Sequence, residues 1–357
     1  MIHPDSRTYE WIDKVAAANG VKDKSLAEKT IRAFSLLEAL VRSGCPLIFK
    51  GGTSLMLHLN SSKRLSIDID IICPPGTQIE DYLYSYSAEY GFGEVELVER
   101  NTRVDVPKRH AKYHYQVAYP SGHSEGKILL DVLFEDNHYY NIVTLPIQSP
   151  FLNTEGEPVL VNVPSHMDLL GDKLTAFAPH TTGIPFFKGE KDCSMEINKQ
   201  LFDIASLFDL TTDLSVSADT FKKFAEVELQ YRKQEGLTVQ DVLQDIFNTA
   251  ICISLRGGIV PEEFALLQAG INKVRGFIHS ENYTIDSAIV NAAKAAYLSK
   301  LIEFGETEVH HFDNTNVKTL SDAVVSDPLP TKFNRFKKSS IEAFFYWNEV
   351  QKLMERK

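Results

Sequence analysis

The first long apolar period in the chain runs from Lys24 to Ser43. Leu26, Ala33, Leu37, Leu40 and Val41 recur at helical spacing, which predicts an α-helix with one buried face. Ser25 and Glu28 stand three apart at its start as a capping box, and Gly44 followed by Pro46 forms the stop. The period then shortens. "PLIFK" predicts a short strand, Gly51-Gly52 breaks it, "TSLMLHL" starts a helix and "RLSIDIDII" is the next strand. From Glu94 to Val163 the pattern is extended, in five short β-branched or aromatic runs: "GEVELVER", "YHYQVAYP", "KILLDVLFE", "NIVTLPI" and "PVLVNVP". No long helix separates them, so the sheet is expected to be mixed or antiparallel and not doubly wound.

After Pro164 the period becomes helical. "SHMDLLGDKLTAFA" opens with a Ser165–Asp168 capping box, and helices are predicted over Lys199–Phe208, Asp219–Glu235, Val239–Ser254, Glu262–Ile278 and Asp286–Phe304. Between them "PHTTGIPFFKGEKDCSMEI" reads as a conspicuous loop, of a length that is often functional. The expected fold is α+β: a small mixed sheet with flanking helices over residues 1–164, then a helical domain over 165–357.

Composition narrows the classes. The 357 residues are 43% hydrophobic and 24% charged, an ordinary globular balance. No run approaches the roughly 20 apolar residues of a membrane span, and "MIHPDSRTYEWIDK" lacks the basic start and apolar run of a signal peptide. Cys45, Cys73, Cys193 and Cys252 are scattered with no CxxC, which favours a reducing, cytoplasmic setting over disulfides or structural zinc. The net charge of −11 excludes a general nucleic-acid coat; any nucleic acid would have to meet a local basic patch.

The candidate chemistry lies in the acids of the strand pattern. Asp68 and Asp70 sit two apart, so they project together while Ile67, Ile69 and Ile71 face the other way. Two adjacent carboxylates repel unless a cation sits between them, and oxygen ligands of this kind suit magnesium with substrate phosphates. Asp131 interrupts the apolar strand "KILLDVLFE" as a third acid. Three acids on neighbouring strands can hold one or two metal ions, which in phosphoryl transfer clamp the attacking and leaving oxygens. The Gly51-Gly52-Thr53-Ser54 turn lets backbone N–H groups approach an anion at a helix start, with the Thr53 and Ser54 hydroxyls as further donors. Neither Walker A nor GxGxxG is present. A solvated strand end accommodates two aspartates equally well, and a Gly-Gly turn is common; it is their combination, in this order, that points to phosphate chemistry.

These residues carry a resemblance. "FKGGTSL" followed by "KRLSIDIDI" resembles the first motif of the AbiEii/AbiGii toxin-like nucleotidyltransferases, which include the MenT toxins and belong to the polymerase-β-like superfamily. The matching positions are Gly51, Gly52, Thr53, Ser54, Arg64, Ser66, Asp68 and Asp70, with Ile67 where many members carry an acid. "DKLTAF" resembles the family's Lys-Leu-x-Ala helix and places its lysine at Lys173. "KQLFDIASLFD" resembles the next helix and places the functional aspartate at Asp203, with Lys199 where Arg is usual and Gln200 where a first aspartate is usual.

The resemblance implies a nucleotidyltransferase domain over 1–164 and a helical domain over 165–357 that completes an active-site cleft. It implies transfer of a nucleotide from a nucleoside triphosphate, with Mg2+ on Asp68, Asp70 and Asp131. The phosphates would lie on the Gly51–Ser54 turn and Arg64 and Ser66, with Lys173 and Asp203 at the reacting groups. The acceptor it implies is the 3′ end of tRNA, in a toxin–antitoxin or abortive-infection system whose antitoxin is encoded nearby. A small-molecule or protein hydroxyl, or a non-catalytic nucleotide-binding protein, remain as alternatives. Lys173–Asp203 also has a plain interpretation as an interhelix salt bridge.

Other features weigh less. Lys108, Arg109, Lys112, Lys188, Lys191 and the Lys332–Lys338 stretch "KFNRFKK" are candidates for a local basic stripe, the last with Phe333 and Phe336 interleaved for base stacking. An amphipathic surface helix explains that stretch as well. "EVHHFDNTN" lacks zinc spacing and reads as a solvated loop, and "LRGGIV" as a helix end followed by a turn.

Overall fold

The computed structural model describes residues 1–59, 63–98, 108–119, 124–313, 315 and 317–356. Glu99, Arg100, Pro120, Asn314 and Asn316 of the stretches quoted above lie outside them. Two compact units make up the chain: Met1–His166 with Gly276–Asn282, and Met167–Arg275 with Tyr283–Lys357.

The first unit opens with α1 (Tyr9–Ala18) and α2 (Lys24–Arg42). The cap of α2 is Asp23, not Ser25: its carboxylate accepts from the N–H groups of Ser25 and Leu26 at 3.0 and 3.4 Å. Glu28, expected to close a capping box, is drawn away. It is buried and accepts from the N–H groups of Ala118 and Tyr119 at 2.8 and 3.1 Å, a tie across 90 residues that local spacing cannot announce.

The strands follow as β1 (Ile48–Lys50), β2 (Ile69–Cys73), β3 (Phe92–Val98), β4 (Lys108–Gln116) and β5 (Glu125–Phe134), with α3 (Gly51–His58) after β1 and a short α4 (Glu80–Leu83) after β2. They form one mixed sheet in the order β1-β2-β5-β4-β3. β2 and β5 run parallel and the other pairs antiparallel. β6 (Ile142–Pro146) and β7 (Leu160–Pro164) make a separate hairpin. The fold is α+β, with the mixed sheet that the sequence pattern predicts.

One face of this sheet is core. Phe49, Ile69, Ile71, Ala111, Tyr113, Ile128, Leu130 and Val132 are buried with Ala27, Ile31, Phe34 and Leu37 of α2. Burying each large apolar side chain contributes about 1.5–3 kcal/mol. A one-residue slip of β2 would exchange Ile69 and Ile71 for Asp70 and expel that energy, so the register is held. The alternate residues, Lys50, Asp70, Asp131 and His110, therefore occupy the opposite face. Cys45 and Cys73 are free thiols with sulfurs 3.9 Å apart, and Cys193 and Cys252 are free and buried.

Gly276–Asn282 belongs to this unit by backbone pairing. Leu65 N–H donates to the Phe277 carbonyl at 2.8 Å, and Arg64 bridges Ile278. The predicted helix through Ile278 accordingly stops at Val274.

The second unit is helical. It comprises α5 (His166–Ala176), α6 (Ser194–Phe208), α7 (Ser215–Tyr231), α8 (Val239–Ser254), α9 (Pro261–Val274), α10 (Ile285–Phe304), α11 (Phe336–Ser339) and α12 (Ile341–Glu355). α10 is buried along most of its length and packs on α6, α8 and α12. A Cβ on Gly171 would stand 2.6 Å from the Ser217 carbonyl, so only glycine lets α5 approach α7 this closely. Asp168 accepts from the Thr220 hydroxyl at 2.7 Å across the same contact.

Two expectations change here. The conspicuous loop holds a small hairpin, β8 (Phe187–Lys188) with β9 (Lys191–Asp192). Phe333 and Phe336 are buried rather than presented for base stacking, and Phe333 stacks on Trp347 with centroids 4.1 Å apart. "LRGGIV" is a helix end and turn, with Arg256 and Gly257 at positive φ. No helix among the described residues is long and apolar enough to cross a membrane.

Candidate active site

β1 ends at Lys50 and the chain turns directly into α3 at Gly51, whose φ is +79°. An L-residue rarely adopts that conformation, and glycine does so freely. Space imposes a second demand. A Cβ on Gly51 would overlap Asp70 Oδ2 and stand 2.9 Å from its Cγ. A Cβ on Gly52 would lie 2.5 Å from Arg64 Nη2 and 3.0 Å from Ser66 Oγ. The two glycines are thus pressed against the carboxylate, the guanidinium and the hydroxyl that follow in the next motif.

The hydroxyls of the turn behave differently from expectation. Thr53 Oγ1 donates to the Asp68 carbonyl at 2.6 Å, Ser54 Oγ donates to the Gly51 carbonyl at 2.9 Å, and both side chains are fully buried. They brace the turn and the approach to β2. The α3 N-terminus has no side-chain cap bond, so its backbone N–H groups and dipole are the groups of this turn that could take an anion. His58, at the far end of α3, accepts burial at a cost to its charged form. Burial lowers its pKa, against the raising effect of its 2.9 Å bond to the Pro164 carbonyl.

The sheet register lines up the acids. Lys50 pairs with Asp70, Asp70 with Asp131, and Asp131 with His110 across four adjacent strands. Paired residues project to the same face, so these four side chains form one polar row. Asp131 Oδ1 is 2.5 Å from His110 Nδ1. Asp68 precedes the strand, which begins at Ile69, and stands two residues from Asp70. Arg64 is buried, with Nη1 donating to the Leu65 carbonyl at 3.1 Å.

This donor set fits a hard divalent cation. Magnesium commonly takes one or two protein carboxylates and completes its shell with water and substrate phosphates. Among the described residues no three His, Cys, Asp or Glu side chains form a ready-made cage, so a bound ion would draw its remaining oxygens from substrate and water.

Lys173 and Asp203 come together in the second unit. Lys173 Nζ, on α5, is 2.9 Å from Asp203 Oδ2 and 3.0 Å from Gln200 Oε1, both on α6. Both charged groups are buried. Gln200 therefore holds the lysine from the position where a carboxylate is usual. The candidate residues form two groups: Gly51, Gly52, Arg64, Ser66, Asp68, Asp70 and Asp131 in the first unit, and Lys173 and Asp203 in the second.

The sequence pattern gave no chemical role to Lys50 or His110. The signal was present in the alternation of His110, Lys112 and His114, which places all three on one strand face. The basic stripe is also reduced. Lys112 pairs with Glu96 at 2.9 Å, Lys191 with Glu196 at 3.4 Å, and Lys337 donates to the Ser321 carbonyl at 3.1 Å.

A glycine turn packed on an Asp-x-Asp strand, within a small mixed sheet, defines this protein as an enzyme of the nucleotidyl transferase class. The model of the nucleotidyl transferase AbiEii toxin family, of type IV toxin–antitoxin systems, matches residues 35–344, and the chain belongs to that family. Membership implies a nucleotide substrate and a cognate antitoxin. No curated protein matches the chain.

Proposed function

We propose that the enzyme transfers a nucleoside monophosphate from a nucleoside triphosphate to the terminal hydroxyl of tRNA, in a reaction that requires a divalent cation. The acceptor oxygen attacks the α-phosphorus, the bond to the bridging oxygen breaks, pyrophosphate leaves, and the hydroxyl proton passes to a base or to solvent. The observation that carries this proposal is the register of Asp70 and Asp131 on parallel strands, with the Asp70 carboxylate against Gly51.

Asp68 and Asp70, joined by Asp131, would hold the cation. When bound, it would lower the cost of charge on the attacking and leaving oxygens. The α3 N-terminus supplies backbone N–H groups to phosphate oxygens, with Arg64 and Ser66 beside Gly52. The role proposed for Lys173 is a point charge to phosphate, with its Nζ aimed by Asp203 and Gln200.

A second reading is transfer to a small-molecule or protein hydroxyl. The net charge of −11 and the pairing of Lys112 and Lys191 with glutamates favour it, because a bound polyanion needs unneutralised cations. One assay separates the two. Wild type and an Asp68→Ala, Asp70→Ala double variant are incubated with Mg2+, each labelled triphosphate and total RNA. Label in the tRNA band with wild type alone is the expected result. Label only on protein or small molecules would replace the acceptor, and label from the double variant would overturn the site.

A further inference from the structure

His110 stands directly opposite Asp131 on β4, and its Nδ1 lies 2.5 Å from Asp131 Oδ1. A carboxylate oxygen accepts, so Nδ1 carries the proton of this bond in the neutral ring as in the charged one. The two partners differ in freedom: the His110 side chain is 12% exposed and that of Asp131 is 43% exposed. The imidazole is the fixed member and the carboxylate the one being held. Lys108, on the same face at the start of β4, is exposed, and the next two titratable residues beyond His110 along that face have acidic partners. Lys112 is bonded to Glu96, and His114 lies 3.6 Å from Glu96 and 3.3 Å from Glu125.

On its other side Asp131 has Asp70 as its registered neighbour. Adjacent carboxylates repel, and a carboxylate with rotational freedom turns away from such a neighbour. His110 lies on the side of Asp131 away from Asp70, so its bond fixes the carboxylate in the turned orientation, occupies Oδ1, and leaves Oδ2 to a ligand.

We propose that His110 is a positioning residue that fixes Asp131 as a one-oxygen ligand of the divalent cation. The inference rests on the cation-dependent transfer proposed above. Partners that orient a metal ligand typically contribute about 10–100-fold to metal affinity.

The test is Mn2+ binding to the nucleotide-free full chain, followed by electron paramagnetic resonance, with melting curves recorded for every variant. His110→Leu is expected to weaken Mn2+ binding by about 10-fold or more. His110→Asn, which keeps a donor near the Nδ1 position, is expected to restore most of it. The Mg2+ concentration for half-maximal transfer should shift in the same order, while KM for the triphosphate at saturating Mg2+ stays near wild type. Should His110→Leu fail to fold, His110→Gln replaces it, since its donor lies one bond too far out. Wild-type Mn2+ affinity in His110→Leu would overturn the inference, as would a folded His110→Asn as weak as His110→Leu. A wild type that transfers nucleotide without any divalent cation would overturn the parent proposal itself, and this one with it.

Discussion

Gly51 and the carboxylate of Asp70 are in contact, at a point where the backbone also demands a positive φ. Two separate penalties meet any side chain there. The left-handed backbone costs an alanine about 1–2 kcal/mol. The added Cβ must also displace the carboxylate that faces the proposed cation. Gly51→Ala is expected to lower transfer by about 100-fold or more, equivalent to about 2.7 kcal/mol of barrier. Gly76→Ala is the control: its φ is +85°, but a Cβ there meets nothing within 4 Å. It should lose stability and keep its rate. Equal rates for the two variants in the labelled-triphosphate assay would remove the contact from the mechanism.

The buried pair Lys173–Asp203 separates stability from chemistry. Removing one partner leaves a buried charge, at a cost of roughly 3–5 kcal/mol. Lys173→Met and Asp203→Leu should each melt well below wild type. Combining them removes both charges, so the double variant should recover much of the lost melting temperature. It should not recover transfer. A double variant that is both stable and active would reduce the pair to the interhelix salt bridge it also resembles.

Acid sensitivity should reside in the histidines of the first unit. Burial lowers the pKa of His58 and of His279 below their ordinary 6.5, against the bonds each makes to a backbone carbonyl. The unfolded chain then binds protons that the folded one refuses. Stability contributed by the neutral rings is complete above about pH 6.5 and declines as pH falls below it, toward the folded-state values. His58→Gln with His279→Asn keeps the donors near Nε2 and Nδ1 and removes the titration. Urea midpoints between pH 7.5 and 5 should fall less steeply in that variant. An unchanged slope would place the acid sensitivity elsewhere.

Phe333 belongs to the core of the second unit. Phe333→Ala should destabilise the protein by roughly 3–5 kcal/mol, the usual cost of removing a buried aromatic ring. Lys332→Ala and Lys338→Ala alter exposed positions and should stay within about 0.5 kcal/mol of wild type. Denaturant titration checks both. A stable Phe333→Ala that binds RNA less tightly would return this stretch to a nucleic-acid surface.

The local elements were open to sequence reasoning where one period dominates. Val239–Ser254 is α8 residue for residue, because its apolar spacing has no competitor. Gly51-Gly52 and Asp68-x-Asp70 were legible as a candidate site because buried or paired carboxylates and adjacent glycines are costly unless something requires them. Reasoning from spacing went astray where a side chain's partner is distant. Glu28 has the spacing of a capping box and instead serves Ala118 and Tyr119. Phe333 and Phe336 alternate with cations like a stacking surface, yet both are buried, Phe333 stacking on Trp347 and Phe336 on Phe333. Thr53 and Ser54 have donor hydroxyls, but the Asp68 and Gly51 carbonyls use them.

By itself, the sequence determined most of the longer helices and strands, the α+β class, the motif that marks the family, and the alternation that turns Asp70 away from the core. Those depend on periodicity and on the intrinsic conformations of a few residues, which act over a handful of positions. The tertiary structure alone decided that Asp70 lies beside Asp131, that Asp131 is held by His110, and that Gly276–Asn282 returns to pair with Lys63–Leu65. Each of these depends on strand order and register, which are set by burial of a whole sheet face and which no local stretch of the chain encodes.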